Sequence, residues 1–327
     1  MPVRTLIEAI RETLADEMRR DSTMIVLGED VGRKGGVFLA TDGLFAEFGA
    51  ERVIDTPLTE SLIVGAAIGA SVNGLRPVPE IQFADFIFPA FNQIVSEAAR
   101  LRYRSNGTFS CPITIRAPYG GGVHGALYHS QSVEAFFAHV PGLKVVVPST
   151  PYDARGLLRS AIRDDDPVLF FEHKKLYRSV RGEVPDTDYA LPIGRAQITR
   201  PGDHVTVVGY GLMAHYALEA AELVEPDGIS VEVIDLRTLR PLDRATLLES
   251  VRKTGKCIVV YEDNRFGGYG AEIAATVAEE AFDYLDGPVI RVAGPDVPGV
   301  PYAHVLEEWF MIDPDTIAAA IRKLAAY

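Results

Sequence analysis

An acid stands at the head of a small-residue segment, where Asp55-Thr-Pro-Leu-Thr-Glu60 runs into Gly65-Ala-Ala-Ile-Gly-Ala-Ser71. A carboxylate in the first turn of a helix is favoured by the helix dipole, and small side chains let a second helix or a ligand come close. Taken alone, Glu60 is more often a solvated first-turn acid than a functional one. Glu80-Ile-Gln-Phe-Ala-Asp-Phe86 follows at a strand-to-helix junction. Gly120-Gly-Gly-Val-His-Gly-Ala-Leu-Tyr-His129-Ser-Gln-Ser132 holds four glycines and two histidines in thirteen residues. That makes poor core and poor helix but a plausible site loop. His124 and His129 stand five apart, which does not favour a shared helical face for a metal, and periodicity alone leaves the chemistry of this loop open.

A more generic pattern lies further on. Val205-Thr-Val-Val-Gly209-Tyr-Gly211-Leu-Met-Ala214 is a strand entering G-x-G-x-x-A, with Asp235 closing the next strand. A dinucleotide site uses that order, because the glycines let backbone amides approach a pyrophosphate and the acid takes a ribose hydroxyl. Any tight β-to-α turn wants glycine too, so a nicotinamide oxidoreductase stands as the rival to a plain packing turn. Other signatures are absent: there is no phosphate-loop G-x-x-x-x-G-K-S/T and no H-E-x-x-H, and Gly69-Ala-Ser71-Val-Asn73 lacks the last glycine of a nucleophile elbow.

These residues need a scaffold. At roughly 150 residues per domain, the 327-residue length implies two. With 47% hydrophobic and 24% charged residues the chain is globular in composition. A net charge of −13 repels phosphate backbones and anionic lipid surfaces, so neither nucleic acid nor membrane is expected as a partner. Cys111 and Cys257 form no CxxC pair, and the N-terminus enters an acidic amphipathic helix rather than a leader, so a cytoplasmic protein is expected.

Short apolar runs at Met24–Leu27, Val78–Phe83, Ile113–Ile115, Lys144–Val147 and Val168–Phe171 read as buried strands. Between them the helical stretches are Glu60–Asn73, Asp85–Arg104 and Pro151–Arg163, preceded by a helix opened by the capping box Thr5-Leu-Ile-Glu8. A second series has strands at Val205–Val208, Val231–Ile234, Cys257–Val260 and Val289–Val292 and helices at Ala214–Val224, Arg244–Val251, Gly270–Ala281 and Asp315–Ala325. The fold class is α/β, with two domains that each carry a mostly parallel sheet flanked by helices. The aperiodic stretch from Arg181 to Gly194 marks the boundary, giving domains at 1–182 and 195–327 with a linker at 183–194. The proline-rich stretch Gly294–Pro301 should be an ordered surface excursion.

Taken together, Leu27-Gly-Glu-Asp-Val-Gly32, Asp55–Glu60, Glu80-Ile-Gln-Phe-Ala-Asp-Phe-Ile-Phe88, Leu101-Arg-Tyr-Arg-Ser105, His124-Gly-Ala-Leu-Tyr-His-Ser-Gln131, Pro148–Pro151 and Val233-Ile-Asp-Leu-Arg-Thr238 stand in a familiar order. They closely resemble the beta subunit of the thiamine-diphosphate-dependent decarboxylating component of 2-oxo acid dehydrogenase complexes, most of all the branched-chain type. The resemblance covers essentially the whole chain and places it in the transketolase-like superfamily. It also reassigns the second domain to a transketolase C-terminal type, which in this family is not a nicotinamide site.

What the resemblance implies is specific. Glu60 matches the acid that engages the aminopyrimidine of thiamine diphosphate, and Leu58, Gln82 and Phe86 match the lining of that pocket, with Phe86 in place of a common tyrosine. His129 matches a histidine serving proton transfer as the acyl group passes to lipoamide. Ile113, Ala161, Ile162, Asp164 and Asp166 match a structural potassium site, with Asp166 where asparagine is common. The diphosphate-holding Gly-Asp-Gly motif is missing, which implies that an alpha subunit supplies it with magnesium in an α2β2 assembly. Apolar Phe86, Phe88, Phe91, Ile94, Val95 and Leu101 would then be interface as much as core. The activity implied is oxidative decarboxylation of 3-methyl-2-oxobutanoate and related 2-oxo acids, with acyl transfer to a lipoyl-bearing dihydrolipoamide acyltransferase core. Pyruvate or acetoin dehydrogenase beta subunits and a non-catalytic scaffold subunit are the alternatives.

Overall fold

The first helix, Leu6–Arg20, begins where the sequence marks it. Thr5 Oγ1 accepts from the Glu8 N–H at 3.3 Å, and Glu8 Oε2 accepts from the Thr5 N–H at 2.8 Å. Two orphan donors are thereby satisfied, a device that stabilises a helix by about 1 kcal/mol. Leu6, Ile10, Leu14 and Met18 fall on one face and are fully buried, as their spacing requires.

The computed structural model describes residues 1–327, which divide into two compact units. The first comprises Met1–Tyr119 and Phe136–Ile193, the second Gly120–Ala135 and Gly194–Tyr327. The break near 194 falls at the end of the aperiodic stretch. Gly120–Ala135 clusters with the second unit although in sequence it lies inside the stretch 1–182. The reason is tertiary, since this glycine-rich segment takes its hydrogen bonds from distant parts of the second unit.

In the first unit the strands are β1 (Val3–Thr5), β2 (Met24–Gly28), β3 (Val53–Asp55), β4 (Arg76–Glu80), β5 (Thr114–Tyr119), β6 (Lys144–Val146), β7 (Val168–His173) and β8 (Arg181–Glu183). A parallel sheet runs β6-β7-β5-β4-β2-β3, and β1 and β8 form a separate antiparallel pair. Strands β2, β5 and β7 are buried along their whole length, in keeping with helices over both sheet faces. Pro77 and Pro79 of β4 lack N–H groups on the side facing β5, and there β4 pairs only at Glu80↔Arg116, whereas it pairs with β2 over five residues.

The chain passes from β2 outward to β3 and then returns to β4 on the opposite side of β2. In an open parallel sheet such a reversal leaves a crevice beyond the carboxyl ends of the two strands, the usual place for a ligand. Gly28 ends β2 at that point, where a Cβ would meet the Glu80 carbonyl oxygen at 2.7 Å.

The single helix expected over Asp85–Arg104 is broken. Short turns at Ala84–Phe86 and Phe88–Ala90, a wide π-type turn at Gln93–Ala98 and an α-turn at Leu101–Arg104 replace it. Pro89 cannot donate to a preceding turn, and the Ala99 N–H reaches back five residues to the Ile94 carbonyl at 3.0 Å. Ile94 and Leu101 are core, while Phe88 is exposed.

The second unit has strands β9 (Gln197–Arg200), β10 (Val205–Gly209), β11 (Val231–Asp235), β12 (Thr238–Arg240), β13 (Cys257–Asn264) and β14 (Ile290–Gly294). Its sheet runs β14-β13-β10-β11-β9, parallel except for β9. The expected helices are present, as Leu212–Val224, Arg244–Thr254, Gly270–Glu280 and Pro314–Ala325. No helix is long and apolar enough to cross a membrane.

Candidate active site

At the crevice between β2 and β4, Glu60 opens the helix Glu60–Val72 and is half-buried. Its neighbour in charge is Glu29, just past the end of β2. Partial burial first, then the charges of Asp30 and Glu60, raise the Glu29 carboxyl above its ordinary range. Gln82, two residues beyond β4, donates its Nε2 hydrogen to the Glu29 carbonyl at 3.4 Å. Glu29 thus has Glu60 as a neighbour by charge and Gln82 as a neighbour by hydrogen bond. Phe86 is half-buried on the first turn after β4, its ring 5.5 Å from that of Phe83 in an edge-on contact. Leu58 is 71% exposed.

Thr56 Oγ1 is buried here without a hydrogen-bond partner. Buried polar atoms are seldom left so. With the Glu60 carboxyl, the Gln82 amide and apolar Leu58 and Phe86, the set fits a flat heteroaromatic ring with hydrogen-bonding nitrogens.

Behind the crevice three neighbouring strands are tied together by buried charge. Arg116 of β5 donates from Nη1 to Glu80 Oε2 of β4 at 2.5 Å. From Nε and Nη2 it reaches both oxygens of Glu172 of β7, each at 2.7 Å. Tyr177 donates to Glu172 Oε2 at 2.5 Å. Burial drives the Glu80 carboxyl upward, against the pull of Arg116, and raises the Tyr177 hydroxyl well above its ordinary value. The network fixes the strand end from which Gln82 departs. Its signal in the sequence is a lone Arg in Thr-Ile-Arg116-Ala and a lone Glu in Leu-Phe-Phe-Glu172, charges in otherwise apolar strands that call for a partner without saying which.

The loop carrying His129 belongs to the second unit. The Gly121 N–H donates to Glu262 Oε1 at 2.5 Å and the His124 N–H to Glu307 Oε1 at 3.2 Å. Tyr210 donates to Glu134 Oε1 at 2.8 Å, while Glu134 Oε2 has no hydrogen-bond partner. Full burial, assisted by the charge of Asp263, pushes the Glu134 carboxyl up to about 8, and burial likewise raises Asp263. His129 is half-buried at the end of the short turn Ala126–Tyr128. Glu134, Glu262 and Glu307 escaped the sequence reading because acids at such positions carry no local signal of burial.

The glycine fingerprint is explained by packing. A Cβ at Gly209 would stand 3.0 Å from the Met213 carbonyl, and Tyr210 between the glycines is the Glu134 donor. Asp235 is buried, and its Oδ1 accepts the Arg237 N–H at 3.1 Å, so it does not present itself to a ribose.

At the expected potassium turn, the carbonyls of Ile162 and Asp164 converge on Arg76 Nη1 at 2.8 and 2.7 Å. The Ile113 and Ala161 carbonyls accept backbone N–H groups. Lys144 pairs with Asp164 at 2.5 Å and Arg102 with Asp166 at 2.5 Å. Two of the carbonyls that a potassium ion would need are thus already engaged by the Arg76 guanidinium.

Comparison with known proteins gives a consistent picture. Residues 4–180 match the pyrimidine-binding domain family of transketolase, and residues 194–317 match the transketolase C-terminal domain family. The chain is 60% identical to the 2-oxoisovalerate dehydrogenase subunit beta of Bacillus subtilis, over the full length of both. It is 48% identical to the pyruvate dehydrogenase E1 component subunit beta of the same organism, over 98% of each. Among solved structures, a split-gene transketolase described as an inactive beta4 tetramer superposes with a TM-score of 0.79 at 28% identity, covering 98% of each chain.

Proposed function

Because the chain belongs to the family of 2-oxo acid dehydrogenase beta subunits, built from transketolase pyrimidine-binding and C-terminal domains, we propose that it serves as the beta subunit of a branched-chain 2-oxo acid dehydrogenase. Its substrates would be 3-methyl-2-oxobutanoate and related 2-oxo acids. The higher identity to the 2-oxoisovalerate enzyme than to the pyruvate enzyme, 60% against 48%, supports that preference. The observation that carries the reading is the placement of Glu60 at the strand-reversal crevice of the pyrimidine-binding unit, beside Gln82 and the unpartnered Thr56 hydroxyl.

Thiamine diphosphate, when bound, supplies an electron sink that makes loss of carbon dioxide from a 2-oxo acid feasible. In this reading Glu60 holds a hydrogen bond to the pyrimidine ring nitrogen and so keeps the amino group able to take a proton. Gln82 orients the ring, and Leu58 and Phe86 cover it and exclude water. His129 moves a proton during acyl transfer to the lipoyl group of an acyltransferase core, a task suited to imidazole. The chain lacks the diphosphate-holding motif, so an alpha subunit would bring that half of the site with its magnesium. The exposure of Leu58, 71%, is in keeping with a surface that a second chain completes. That a structural relative is described as an inactive tetramer of beta chains supports the same dependence. The potassium turn would steady the fold rather than take part in chemistry.

Assembly with the alpha subunit tests the proposal. Glu60→Gln is expected to lower decarboxylation by about 10²-fold or more with the assembly intact, and unchanged turnover would end the assignment. His129→Ala should depress acyl transfer to lipoamide more than decarboxylation measured with an artificial electron acceptor. Equal losses would remove the role given to His129.

A further inference from the structure

The second unit gathers side chains of metal-ligand type on the loop that leads to His129. His124, His304 and Glu307 each offer one ligand atom, and these atoms lie within 4.8 Å of one another. His304 and Glu307 stand three apart on the helix His304–Phe310, so one turn presents both on the same side. His124 arrives from 183 residues away.

Glu307 is 4% exposed and commits both oxygens to His124. Oε2 lies 2.5 Å from the imidazole Nδ1, and Oε1 accepts the backbone N–H at 3.2 Å. The His124 and His304 rings meet edge to face with centroids 4.6 Å apart. His124 adopts φ +56°, a left-handed conformation that a residue with a side chain takes at a cost. The backbone is therefore bent to deliver this ring to Glu307. None of these side chains has a part in the chemistry assigned above.

We propose that His124, His304 and Glu307 form a binding site for a divalent transition-metal ion of the zinc type, with water in a fourth position. Two imidazoles and a carboxylate suit such ions, and three protein ligands with one open position is a common tetrahedral arrangement. The buried carboxylate is the fixed ligand, and the two exposed imidazoles can turn toward it. On binding, the hydrogen between Nδ1 and Oε2 leaves to solvent and the two atoms part to about 3.4 Å, the tetrahedral separation set by metal–ligand bonds of about 2.0–2.2 Å. Bound there, it would clamp the Gly120–Gln131 loop to the helix His304–Phe310, five residues before His129.

The test uses the full chain stripped of metal and needs neither cofactor nor substrate, so it stands apart from the catalytic reading. Titration with Co²⁺ should give one ion per chain with the visible bands of tetrahedral coordination, and Zn²⁺ should displace it. His304→Ala removes an exposed ligand without touching the core, and should weaken binding at least tenfold with an unchanged circular dichroism spectrum. Glu307→Gln should do the same or more. Absence of binding by the wild-type chain, or full retention of affinity in His304→Ala, would overturn the proposal.

Discussion

The two units hold buried carboxylates in opposite ways. In the first, Glu80 and Glu172 are matched by the guanidinium of Arg116, which bonds to both, and Tyr177 closes the remaining position. In the second, Glu134 is equally buried and is held by the Tyr210 hydroxyl and its own backbone N–H with no cation, while Asp263 and Glu262 add negative charge nearby. One carboxylate pair is kept by a cation, while the other acid is kept by its own proton. A cation locks three neighbouring strands at a site that must hold shape, whereas a retained proton leaves a group whose charge depends on pH.

The contrast is most severely tested by Arg116→Met. If the guanidinium is the compensating charge, its loss strands two buried carboxylates and should cost about 3–5 kcal/mol, seen as an earlier unfolding transition of the first unit in denaturant. A near-wild-type midpoint would mean that Glu80 and Glu172 simply protonate, and the difference between the units would vanish. Tyr177→Phe is a smaller probe. Removing the donor to Glu172 Oε2 should cost about 1–3 kcal/mol by the same measurement.

Glu134→Gln should have the least effect in acid, below about 1 kcal/mol at or under about pH 4, because the amide oxygen still accepts from Tyr210 and the wild-type side chain is neutral there in the folded and the unfolded chain alike. Its signature is in pH dependence. The folded pKa of Glu134 lies above its unfolded value, so its contribution is complete below about pH 4.3 and is lost as pH rises through about 8. The wild-type melting temperature should fall across that window more steeply than that of Glu134→Gln. Identical slopes would show that Glu134 is ionised in the native state.

Much of the scaffold was legible because it depends on local chemistry. The capping box at Thr5 and Glu8, the first-turn proline at Pro151, and the buried runs of β2, β5 and β7 declare themselves by residue type and spacing. Where the reading failed, the cause was a proline in the chain itself in one place and non-local packing in another. The apolar spacing between Asp85 and Arg104 reads as one helix, but Pro89 and the five-residue return at Ala99 break it. The glycines at 209 and 211 leave a dinucleotide turn open as the rival reading until Asp235 is seen to be buried and engaged with Arg237.

The sequence by itself therefore determined the α/β class and the acid at the head of a small-residue helix, because periodicity, caps and composition act over a few residues. Only the tertiary structure decided that Glu29 has Glu60 and Gln82 as neighbours and that Arg116 answers two carboxylates from neighbouring strands. It alone placed Gly120–Ala135 with the second unit and set His124 against Glu307. Those outcomes depend on strand order and on the burial of charge, and both arise from contacts between residues far apart in the chain.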